Sequence, residues 1–175
     1  QHMRHTHLPE HKFVSGQPET GADRADDLER IATNFGPENI AACIVEPIAG
    51  STGTLVPPKG YLQKLRDTCD KHGILLIFDE VITGWGRTGS SFASIEYGVT
   101  PDIMTMAKAT TNGVVPMGVV ACKDEIYDSV MDASPKGSIE LFHGYTYSGI
   151  PVAVAAALAV QEIFEKEDIF ERAKN

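Results

Sequence analysis

Ile74-Leu75-Leu76-Ile77-Phe78 is the clearest strand signal in the sequence, a continuous apolar run that stops abruptly at two carboxylates, Asp79-Glu80. Just upstream, Leu62, Leu65 and Cys69 recur at helical spacing. Lys71-His72 and then Gly73 supply the cationic last turn and the left-handed cap that end a helix well. Before that helix, residues 40–45 form a second apolar run between Asn39 and the loop 47–53, and read as a strand covered on both faces. Leu28, Ile31, Ala32 and Phe35 mark an earlier helix, which Gly36-Pro37 stops. Residues 1–23 are polar, rich in His, Pro and Gly, and lack apolar periodicity, as an irregular approach should.

Downstream of Glu80 the pattern predicts a glycine-rich loop, a weak helix near 92–97 and a strand over 103–107 with Lys108 just past its end. A strand over 117–122, a short helix over 124–131 and a polar loop to 149 follow. A long Ala-rich helix then runs over 151–166, with Pro151 in its first turn, and residues 169–175 are again helix-like. No repeat, low-complexity tract or linker divides the chain. Alternating strands and helices predict an α/β fold, a mostly parallel sheet with flanking helices on both faces. Ligands of such sheets gather at the carboxyl ends of the strands, which points to Asp79 and Lys108.

Composition bounds the possible partners. With 42% hydrophobic and 22% charged residues, the 175-residue chain can bury a real core. Fifteen Lys and Arg against 24 Asp and Glu leave a net charge of −9, which disfavours nucleic acid and anionic membranes and favours a small-molecule partner. No apolar run approaches the roughly 18 residues of a membrane span. Cys43, Cys69 and Cys122 are odd in number and lack metal-ligand spacing, so a reducing, cytoplasmic setting is expected. His2, His5, His7 and His11 lie in an irregular polar segment, where histidines are more often solvated than metal-bound, and no metal site is expected.

Asp79 and Lys108 are polar groups delivered by apolar strands. A lysine in a dry pocket can attack a carbonyl as a neutral amine, and an aspartate can hold a pyridine nitrogen protonated. Taken alone, such a pair is more commonly a structural ion pair at a sheet edge.

The surrounding stretches narrow the reading. Ile44-Val45-Glu46-Pro47-Ile48, then Leu76-Ile77-Phe78-Asp79-Glu80-Val81-Ile82-Thr83-Gly84-Trp85-Gly86-Arg87-Thr88-Gly89, then Pro101-Asp102-Ile103 leading to Ala107-Lys108, and finally His143-Gly144-Tyr145-Thr146-Tyr147-Ser148-Gly149 resemble the class III aminotransferases in order and spacing. The resemblance covers nearly everything from about Glu29 onward. It implies part of the large cofactor-binding domain of a fold type I pyridoxal-phosphate transferase, over residues 1–175, with an upstream segment and a C-terminal small domain lying outside the chain. It also implies roles. Lys108 would form a Schiff base with pyridoxal 5'-phosphate, Asp79 would pair with the pyridine nitrogen, and Val81 would pack on the ring. Thr146 would hold the phosphate of a neighbouring subunit's cofactor in a homodimer or higher oligomer, and Glu46 would lie on the substrate side.

Two positions depart from the family pattern. Many relatives carry Gln at the place of Ile82, where it touches the ring oxygen, and many close ones carry His at the place of Ile150. Ile82 does occur in the ω-amino acid:pyruvate branch, which Gly50-Ser51 and Val56-Pro57-Pro58-Lys59-Gly60-Tyr61 also resemble. The resemblance therefore implies a β-alanine-like amino donor and pyruvate as the keto acid. The family's upstream phosphate-binding turn and downstream carboxylate-binding arginine cannot be located, so the isolated chain is expected to be inactive. Three other readings compete. Gly84-Trp85-Gly86-Arg87-Thr88-Gly89 matches a dinucleotide-binding G-x-G-x-x-G, though two carboxylates precede it and a turn-forming loop suits it better. Asp79-Glu80 could be the magnesium and water residues of a P-loop ATPase whose phosphate loop lies elsewhere. A non-catalytic dimerising piece is the third.

Overall fold

The computed structural model describes residues 1–138, 141 and 143–174. Four strands form one sheet in the order β1 (Ala42–Val45), β2 (Leu75–Asp79), β3 (Ile103–Met106) and β4 (Val119–Cys122). The first three are parallel and β4 runs antiparallel to β3, so the sheet is mostly parallel, as the alternation of elements predicts. The chemistry of the connections explains the difference. β1 reaches β2 through helix α2 (Tyr61–His72), the crossover a parallel pair requires, whereas β3 reaches β4 without a helix, as an antiparallel return can.

Helix α1 (Asp26–Phe35) begins with Asp26, Asp27 and Glu29 near its positive end and stops where the Gly36 N–H bonds the Ala32 carbonyl. Helix α2 stops at Gly73, whose φ of +66° suits a residue without a Cβ. α3 (Ala93–Glu96), α4 (Asp124–Ala133), α5 (Pro151–Lys166) and α6 (Ile169–Lys174) complete the regular elements. Burial in β2 alternates. Leu76 and Phe78 are fully buried against Leu62, Leu65 and Cys69 of α2 and Leu28 and Ala32 of α1, while Leu75, Ile77 and Asp79 on the other face are half-buried. Each large side chain so buried contributes about 1.5–3 kcal/mol. The expectation that the first strand is covered on both faces is not met. α1 and α2 share one face, and Ile44 of β1 is 62% exposed.

Two buried carboxylates tie these layers together. Asp102 precedes β3 and accepts hydrogen bonds from the Leu76 N–H at 2.7 Å, Arg66 of α2 at 2.8 Å and Lys123 after β4 at 2.7 Å. Burial disfavours its charge, but Lys123, the Leu76 N–H and Arg66 together hold its carboxyl below the usual range. Asp27, on α1, is gripped by the Arg4 guanidinium at 2.8 and 2.9 Å and by the Arg4 N–H at 2.9 Å, which press its carboxyl well below the ordinary aspartate value.

The terminal histidines do not behave alike. His11 is buried, with its ring nitrogen 3.2 Å from the Thr20 hydroxyl, a correction to its reading as solvated. Among the described residues no His, Cys, Asp and Glu cluster has metal-binding geometry, and no helix is long and apolar enough to cross a membrane.

Candidate active site

The parallel register lines up three strand ends. Val45 pairs with Phe78 and Asp79 with Thr105, so Glu46, Asp79 and the turn carrying Lys108 all follow the carboxyl edges of neighbouring strands. The Asp79 carboxylate is oriented through one oxygen. Oδ1 accepts the Val81 N–H at 3.1 Å and the Thr105 hydroxyl at 3.1 Å, whereas Oδ2 accepts no hydrogen bond from the described residues. Val81 itself is half-buried.

Lys108 opens a 3-10 turn (Lys108–Thr110) in the left-handed region, at φ +49°. That conformation costs a non-glycine residue roughly 1–2 kcal/mol and persists only where its surroundings enforce it. The enforcement is visible. The Thr110 hydroxyl donates to the Ala107 carbonyl at 3.0 Å, the Trp85 indole N–H donates to the Thr110 hydroxyl at 2.9 Å, and Ala109, Thr110 and Thr111 are buried. The Lys108 side chain is exposed, so the dry pocket anticipated for it is not formed by the described residues. Its ammonium makes no hydrogen bond or ion pair with the described residues.

Glu80 takes a different course from Asp79. Fully buried, it accepts the Thr83 hydroxyl at 2.7 Å and the Ala93 and Ser94 N–H groups at 2.8 Å each, clamping the loop to the first turn of α3. Both of its oxygens are therefore committed. Glu80 cannot polarise water beside Asp79, and the ATPase reading loses the pairing on which it stood. The glycine loop is likewise no phosphate cradle. A Cβ on Gly84 would sit 2.9 Å from the Glu80 carbonyl, and one on Gly86 would sit 2.9 Å from the Phe170 ring of α6. Trp85 packs edge-on against Phe92 and near Phe164 of α5, so the loop is filled from within the chain.

Glu46 bends back on its own loop, where Oε2 accepts the Gly50 N–H at 2.9 Å. Ile82 covers that loop, because a Cβ on Gly50 would meet Ile82 at 2.6 Å. Thr146 lies on an exposed 3-10 turn (Tyr145–Tyr147), and no hydrogen bond from it reaches Asp79, Val81 or Lys108 within the chain. Ile150 is also exposed. A cavity of about 1330 Å³ opens elsewhere, between the N-terminal segment, α1 and β1; Glu46 lines it, but Asp79 and Lys108 do not. Thr105, Trp85 and Thr110 escaped the sequence reading. The one available signal was Thr105, the sole polar residue of Ile103-Met104-Thr105-Met106, and threonine is also an ordinary strand former.

Comparison with known proteins places the chain in a family. The profile of the family "Aminotransferase class-III" matches residues 2–175. An omega-aminotransferase of Caulobacter vibrioides is 59% identical over 98% of this chain, and the beta-alanine–pyruvate aminotransferase of Pseudomonas aeruginosa is 49% identical over 98%. The chain spans 39% of the length of each. Among solved structures, an (S)-enantioselective omega-transaminase from Thermomicrobium roseum superposes with a TM-score of 0.80 at 46% identity, covering 86% of this chain and 33% of that one.

Proposed function

Because the chain belongs to the class-III aminotransferases, we propose that it carries the pyridoxal-phosphate-binding end of an enzyme that moves an amino group from an ω-amino acid or amine, β-alanine-like, to pyruvate. The observation that carries the reading is that one end of two adjacent parallel strands bears a carboxylate with one unengaged oxygen, Asp79, and, just past the neighbouring strand, an amine free of any partner among the described residues, Lys108. Those two groups fit the cofactor's needs. When bound, pyridoxal phosphate supplies an aldehyde and a pyridine ring that accepts electrons from the substrate carbon.

The remaining steps belong to protein side chains. Lys108 would hold the cofactor through that aldehyde, and its own tether keeps its amine beside the substrate. There its free amine takes the proton from the carbon bearing nitrogen and delivers it within the site. Its turn, pinned by Thr110 and Trp85, fixes the backbone point from which that amine reaches the site. Asp79 would hold the ring nitrogen of the cofactor by its unengaged oxygen, and Val81 would offer the ring an apolar surface. Thr146, exposed and remote from hydrogen-bonding reach of its own Asp79 and Lys108, serves the phosphate of a partner subunit's site. Glu46 sits on the substrate side.

Alanine formation from β-alanine and pyruvate, in the intact protein that contains this chain, tests the proposal. Lys108→Ala should reduce it to background, since both proton transfer and aldehyde anchoring are lost. Undiminished turnover in that variant would sink the reading.

A further inference from the structure

Resting on the cofactor reading above, we propose that Thr105 is the positioning residue for Asp79, fixing which carboxylate oxygen is offered to the pyridine nitrogen. The sheet register sets the two side by side, since Asp79 and Thr105 are directly paired across β2 and β3. In a parallel pair, register partners direct their side chains to the same face. The backbone closes the same junction, with the Glu80 N–H donating to the Thr105 carbonyl at 2.9 Å. The Thr105 hydroxyl then donates to Asp79 Oδ1 at 3.1 Å, joining the Val81 N–H on the same oxygen.

Two donors converging on Oδ1 do two things. They hold the carboxylate plane against rotation about the Cβ–Cγ bond, and they leave Oδ2 as the acceptor still open among the described residues. A merely structural threonine would serve equally well as valine, which matches its shape and exceeds it as a strand former. The hydroxyl is what distinguishes the two, and among the described residues it donates to Asp79.

The test is a double-mutant cycle read in cofactor affinity, measured by titrating the intact apoprotein with pyridoxal phosphate and following visible absorbance. Thr105→Val should weaken binding roughly tenfold or more, the expected consequence of losing a hydrogen bond to a charged group. It should also shift the absorbance maximum as the ring nitrogen loses its fixed counter-ion. Thr105→Ser should restore both. In an Asp79→Asn background Thr105→Val should change affinity less than twofold, because the hydroxyl acts only through the carboxylate. An equal loss in both backgrounds, or no loss in either, overturns the assignment of Thr105 while leaving the cofactor reading intact. Failure of the unsubstituted protein to bind the cofactor overturns both.

Discussion

Asp79 and Glu80 are adjacent in sequence and opposite in physical circumstance. Asp79 keeps an oxygen unengaged at a strand end, whereas Glu80 is fully buried and saturated by three donors. Sequence showed that two carboxylates end an apolar strand, and so pointed to a site. Only the family resemblance separated their roles, because two of the three donors that capture Glu80 are backbone N–H groups of Ala93 and Ser94, invisible in side-chain identity. Thr105 was hidden for a related reason, since its β-branched shape already accounts for it in a strand. Asp79→Asn, isosteric but uncharged, should lower kcat on the order of 10²–10³-fold, the usual consequence of removing one preorganised electrostatic partner, with the fold preserved by circular dichroism. Gly84→Ala should instead affect stability. Its Cβ would press the Glu80 carbonyl at 2.9 Å and the Phe92 ring at 3.2 Å, costing about 1–3 kcal/mol in urea unfolding.

Elements were more legible than contacts. The helix expected over 151–166 is found as Pro151–Lys166, because a proline starts it and apolar spacing sustains it. Strand β1 was legible as a strand but not in its environment, since a continuous apolar run cannot reveal whether one or two layers cover it. Pro101-Asp102 was visible only as a motif, yet Asp102 joins α2, β2 and Lys123 after β4. Asp102→Ala should cost about 3–5 kcal/mol, as expected when a buried ion pair loses one partner, and should lower the urea midpoint accordingly. The N-terminal segment depends on pH through Asp27. Its folded carboxyl lies below the unfolded value of ~3.9, so its stabilising effect is complete above that value and is lost as pH falls from there through the folded value. Protection of the Arg4 amide from hydrogen exchange, taken relative to its intrinsic rate, should therefore fall as acidity increases below about pH 4.

At the scale of the molecule, one sheet face is covered by α1 and α2, while Tyr147, Val152 and Leu158 near Thr146 are 81%, 60% and 57% exposed. The sharing of a site between subunits proposed for Thr146 would make use of that surface, and complementation detects it. Lys108→Ala protein mixed with Thr146→Glu protein should regain activity after subunit exchange, because one hybrid site then holds both native residues. Sites formed within single chains would regain none. Borohydride trapping tests Lys108 as the cofactor-bearing lysine: incubate the intact protein with pyridoxal phosphate, reduce, digest, and locate the added pyridoxyl mass by peptide mass spectrometry. Stoichiometric modification at Lys108, and none there in Lys108→Ala, is expected. Modification distributed over Lys59, Lys71 and other surface lysines, with Lys108 spared, would contradict it.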